Sequence, residues 1–155
     1  MIKCGFGRIK NFDQRLVESD PENLIWQWYL AIGHGKRGNI LARQNSMDDA
    51  LISYQSTLNI LKRITGADSS NTRWRSDLAI THGLIADVYT RIGKPVEALT
   101  ELCAGQTLLA ELLVSAPNSV EWRDVIVRID TKISRLGTFK NVSATQEGSP
   151  TALGE

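Results

Sequence analysis

Gly33-His34-Gly35-Lys36-Arg37-Gly38 spells G-x-G-x-x-G, the stretch of this chain whose residue types and spacing match a phosphate-binding loop. That chemistry needs a strand before the glycines, a helix opening on them, and an acidic residue about 20 positions on to hold a ribose hydroxyl. Forty-eight residues later the chain repeats the stretch as Thr81-His82-Gly83-Leu84-Ile85-Ala86, keeping the apolar frame and losing the fingerprint. The stretch therefore reads as the middle of a helix, and no nucleotide cofactor is expected. Three glycines this close together cost a helix about 1 kcal/mol each relative to alanine. A kink or frayed turn is expected there unless packing holds it.

His34 and His82 are the only histidines. Zinc would need Cys, His or carboxylate ligands converging with them, and the sequence offers no such cluster. Equal placement 48 residues apart makes both a packing position inherited with a repeat. Cys103, between Leu102 and Ala104, lacks a neighbouring base and reads as a small buried or half-buried residue. No serine stands in a nucleophile-elbow sequence. The expectation is a chain without catalytic residues, cofactor or metal.

The elements that place these residues repeat as well. Trp26, Trp74 and Trp122 are each 48 residues apart. Leu30-Ala31-Ile32 returns as Leu78-Ala79-Ile80, and Ala50-Leu51 as Ala98-Leu99. An asparagine precedes each tryptophan: Asn23, Asn71 and, displaced by one, Asn118. Self-similarity at a few tens of residues marks a stacked-repeat architecture. Apolar positions at three- and four-residue steps predict helices near 26–44, 48–65, 72–92, 96–114 and 120–136, with Gly66 and Gly137 as stops. Phe12 to Glu18 reads as the end of one more helix. Residues 1–11 are expected to be poorly ordered. The Ser-, Thr-, Gly- and Pro-containing tail over 138–155 is expected to be disordered, having too little apolar surface to offset the entropy of ordering.

Within each unit a small residue is followed 12 positions later by Ala and four further on by a bulky apolar residue: Gly38, Ala50, Tyr54, then Ala86, Ala98, Leu102. Tyr89 and Gly105 add an aromatic and a later small position, where the first unit has Leu41 and Thr57. This pattern resembles the tetratricopeptide repeat, in a unit longer than the usual length of about 34 residues. Asp20-Pro21-Glu22-Asn23-Leu24-Ile25-Trp26 is similar to the joint between units in its extended bacterial form. The resemblance covers about residues 12–137, as units near 26–70 and 74–117 with a closing helix over 120–136. It implies an all-α fold, a solenoid of stacked antiparallel helix pairs, whose concave side is lined by the first helix of each pair. In peptide-binding members polar residues there clamp a carboxylate. Asn39, Arg128 and Lys132 match clamp positions, while Gly35 and Leu84 depart from them. Asn39, Arg43, Asp87, Arg91, Arg128 and Lys132 are the candidate partner-binding residues.

Composition bounds the function. In 155 residues, 18 Lys+Arg balance 17 Asp+Glu, so binding nucleic acid by bulk charge is not expected. Two cysteines far apart support neither a disulfide framework nor a zinc site. No run approaches the roughly 20 apolar residues of a membrane helix, and a cytoplasmic location is expected. The leading expectation is a non-catalytic scaffold for a protein or peptide partner. The alternatives are a regulatory fragment of a larger signalling protein or enzyme, and a module that self-associates through exposed terminal helices.

Overall fold

The structure, a computed structural model, describes residues 14, 15 and 17–146, with side chains as far as residue 137. The segment expected to be poorly ordered, 1–11, lies outside the described residues. So does 147–155 of the tail. Residues 14, 15 and 17–19 are helical and lead into five helices: α1 (Leu24–Arg43), α2 (Met47–Ala67), α3 (Thr72–Arg91), α4 (Pro95–Ser115) and α5 (Val120–Gln146). Among the described residues there is no strand. Each helix packs against the next in chain order, and α1 also touches α3. Connections of three or four residues force consecutive helices to run antiparallel.

The 48-residue period holds to the residue in the backbone. Helices start at Leu24, Thr72 and Val120, and the intervening ones at Met47 and Pro95. The caps explain this. Asn23 accepts a hydrogen bond from the Trp26 N–H at 3.1 Å, and Asn71 accepts from the Trp74 N–H at 3.2 Å. Each satisfies a donor that the first turn leaves without a helical partner. At the third start the cap is Ser119, which accepts from the Trp122 N–H at 3.4 Å, and not the displaced Asn118. The ends of α1 and α3 match too. Asn45 (φ 62°) and Gly93 (φ 76°) take the left-handed conformation. The Ser46 and Lys94 N–H groups reach back to the Leu41 and Tyr89 carbonyls, closing the same C-terminal motif.

Two expected stops are not used. Neither Gly66 nor Gly137 is left-handed, so neither provides a terminating turn. α2 runs on to Ala67, and α5 continues through residues expected to belong to a disordered tail, as far as Gln146. α1 also passes through Gly33, Gly35 and Gly38 unbroken. Packing accounts for this at Gly38, where a methyl group would stand 2.5 Å from the Tyr54 ring. α4 departs from the expectation about membranes. By length and composition alone it could cross one, although it carries Glu97, Glu101 and Glu111 and buries Ala98, Leu102, Leu109 and Leu112 against its neighbours.

Two clusters form the interior. The first joins Ala31, Ala50, Tyr54, Leu61 and Ile64 to Trp74, Leu78, Ile85 and Val88, tying α3 to the pair before it. The second joins Ala79, Ala86, Ala98, Leu102 and Leu109 to Ile129 and Leu136 of α5. Ala50 and Ala98 are both fully buried. The tryptophans share a backbone position but not an environment. Trp74 is 4% exposed because α3 has α2 on one side and α4 on the other. Trp26 and Trp122, on helices that among the described residues pack closely on one neighbour only, are half-buried.

Candidate partner-binding face

Helical spacing places Ile32, Lys36, Asn39 and Arg43 along one line of α1. The 48-residue register sets Ile80, Leu84, Asp87 and Arg91 on the same line of α3, and Arg128, Lys132 and Arg135 on that of α5. Three helices thus contribute equivalent rows. Contacts join the rows at one end. The Tyr54 hydroxyl, projecting from α2, donates to Asn39 Oδ1 at 2.7 Å. Lys132 Nζ lies 2.6 Å from Asp87 Oδ1, bridging α5 to α3. Arg91 Nη1 donates to the Ala42 carbonyl at 3.1 Å, a favourable place for a cation because the carbonyls of a helix end lack partners.

The electrostatics of Tyr54 report how close these groups lie. Burial raises its pKa above the ordinary 10.0, and the Asp87 carboxylate raises it further, while Arg43 and Arg91 pull the other way. This one hydroxyl thus senses charges from α1 and α3 together. Of the six expected residues, Asn39, Arg43, Asp87, Arg91 and Lys132 are linked through Tyr54 or the Asp87–Lys132 pair. Arg128 is exposed and takes no part in these contacts. Sequence reasoning did not include Tyr54 in the face, since its bulk marked it as a core residue. Its ring is indeed in the core, 2% exposed, and only its hydroxyl reaches the cluster.

At the other end of the same rows the surface is aromatic and apolar. The Trp28 indole N–H donates to Asp77 Oδ2 at 2.8 Å, and the Arg73 guanidinium lies 5.9 Å from the Trp28 ring centroid while pairing with Asp77 at 3.4 Å. Tyr29, 5.0 Å from Trp28 between ring centroids, is 54% exposed, with Ile25 and Ile80 also exposed nearby on α1 and α3.

The expected packing histidines differ from each other. His82 is buried, and its Nδ1 lies 2.6 Å from Glu101 Oε2 on α4. His34 is half-buried, and where its unit should supply the acid it has Ser53, whose buried hydroxyl finds no partner among the described residues. Cys103, expected to be buried or half-buried, is exposed, because it lies on the side of α4 opposite Leu102 and Gly105. Among the described residues no group of three or more His, Cys, Asp or Glu side chains could hold a metal ion. No protein-family model matches the chain, and a search of curated proteins finds no similar sequence.

Proposed function

We propose that the chain is a non-catalytic, partner-binding module of the tetratricopeptide type, a short superhelix whose concave face is lined by α1, α3 and α5. Its partner presents an acidic C-terminal segment to the cluster around Tyr54. The observation that carries this reading is the cluster around Tyr54 at one end of the equivalent rows on those three helices, where Arg43, Arg91 and Lys132 outnumber the single carboxylate of Asp87. Guanidinium and ammonium groups keep their charge at neutral pH, and a guanidinium meets a carboxylate with two parallel hydrogen bonds. The aromatic end supplies Trp, Tyr and Arg, the side chains that contribute most at protein interfaces.

Asp87 gives the reading a test with opposite signs. It occupies Lys132 in an ion pair whose members are 40% and 49% exposed, a pair weak enough for a ligand carboxylate to displace. With a fluorescent hexapeptide ending in two glutamates as probe, Asp87→Asn tightens binding several-fold, because the ligand no longer competes with a resident carboxylate. Arg43→Ala weakens it by roughly tenfold or more, the effect of one charged hydrogen bond. Amidating the peptide's C-terminus does the same. Binding indifferent to all three changes, or no saturable binding, would sink the proposal.

A further inference from the structure

The geometry of α4 points to a second interaction surface, remote from the row of candidate residues: its outer side is a seam for the same helix of a second copy of this chain, packed antiparallel. The side of α4 turned away from α3 and α5 carries Val96, Thr100, Cys103, Thr107, Ala110 and Val114, and every one is exposed. Their steps alternate four and three residues, the spacing along which two helices interlock. None is charged. The repeat supplies an internal comparison. At the same six places α2 has Asp48, Ile52, Gln55, Asn59, Lys62 and Gly66, also all exposed. That face is polar and carries a carboxylate and an ammonium, as contact with water favours. The fold therefore tolerates charge at these positions, and the uncharged stripe of α4 is a property of that helix and not of its place in the fold.

A second copy suits the stripe because the stripe is nearly its own mirror in size. An antiparallel two-fold at the level of Gly105 sets Val96 against the second copy's Val114, Thr100 against its Ala110, and Cys103 against its Thr107. Such an isologous contact is self-complementary and closes at two subunits. No charge is buried along it. On one flank Leu99 meets Leu113. On the other Glu97 meets Glu111, whose carboxylate Arg75 already holds at 2.6 Å, so the approaching carboxylate faces an ion pair and not a bare charge. The 21 residues of α4 make a seam about 31 Å long. One helix width over that length falls short of the roughly 800 Å² per partner typical of stable complexes. The dimer is accordingly reversible, with Kd on the order of micromolar or weaker.

Sedimentation equilibrium of the full chain tests this, with circular dichroism confirming that each variant keeps its helix content. The average mass should rise with concentration from that of one chain toward that of two. Thr107→Lys, which sets two ammonium groups beside the two-fold, should hold the chain as a monomer. Asn59→Lys, the same change at the equivalent place on α2, should leave association unchanged. In a Cys4→Ser background, bismaleimidoethane should couple two chains through Cys103, since the axial offset between the two sulfurs is about four residues or 6 Å, and Thr107→Lys should abolish that product. A chain monomeric at every concentration up to about 1 mM, or self-association unmoved by Thr107→Lys, overturns the proposal. So does a third result, in which the chain stays monomeric but sediments with phosphatidylcholine–phosphatidylglycerol vesicles until Thr107→Lys releases it.

Discussion

A methyl group on Gly38 would stand 2.5 Å from Tyr54 Cε1, closer than carbon atoms can approach. In the second unit the same two positions hold Ala86 and Leu102, both buried. The two units solve one packing problem with opposite allocations of volume, a glycine under an aromatic ring or an alanine under a leucine. This yields a change of sign. Gly38→Ala in the native chain gains about 1 kcal/mol in helix propensity and loses about 1–3 kcal/mol to overpacking, so it destabilises. In a Tyr54→Leu background the clash is gone and only the propensity gain remains, so the same substitution stabilises. Urea unfolding of the four proteins in the cycle measures it; an effect of the same sign in both backgrounds would show that the two residues are not packed together. Tyr54 also carries a pH signature. Its pKa is raised in the folded chain, by burial first and by Asp87 second. The stability this contributes is fully present below the unfolded value near 10.0 and is lost as pH rises through the folded one. The difference in melting temperature between the native chain and Tyr54→Phe should therefore be constant from pH 7 to 9 and shrink above about pH 10.

Helix ends are the elements most plainly written in the residues. An asparagine three before a tryptophan starts α1 and α3, and a residue able to adopt positive φ ends them. Because Gly93 sits at φ 76°, Gly93→Ala forces a side chain into the left-handed region at a cost of about 1–2 kcal/mol. The same change at Gly137, which is not left-handed, gains helix propensity instead. Comparing the two by thermal unfolding distinguishes a true terminator from a glycine that only looks like one. Both glycines follow an apolar stripe, but only Gly93 has a proline, Pro95, two residues on; reading Gly137 as a stop without that second signal is why α5 was expected to end early. Pairings across helices were hidden for a related reason. Glu101 is 19 residues from His82, and Asp77 is 49 from Trp28, and periodicity within one helix says nothing of which turn of the next helix lies opposite. Ala98 is fully buried between α4 and its neighbours, so Ala98→Leu should cost about 1–3 kcal/mol by overpacking, read as a lowered Tm. An unchanged Tm would place that side chain outside the contact.

At the scale of the molecule the period makes a stronger demand than any single contact. Helix starts, caps, left-handed residues and buried alanines recur every 48 residues, and each helix packs chiefly on the next in sequence. If the chain is a stack of such units, its stability is the sum of what each unit contributes and what each junction between neighbours contributes. A unit can then be added without redesign. Inserting a second copy of residues 72–119 directly after Ser119 puts Thr72 behind a serine cap and leaves α5 behind the α4 it already packs against. The only new junction is α4 of one copy against α3 of the next, and its nearest precedents are the α2–α3 and α4–α5 junctions present now. Trp74 of the inserted copy would gain helices on both sides, the setting in which the native Trp74 is buried. The extended chain should show helix content rising in proportion to length, an unfolding m-value larger by roughly the added share of buried surface, and an unfolding free energy at least equal to that of the native chain. A single cooperative transition with the larger m-value means that the junction formed. Two transitions, one at the native midpoint, or an m-value that does not grow, would mean that the 48-residue recurrence is a resemblance between segments and not a rule by which they stack.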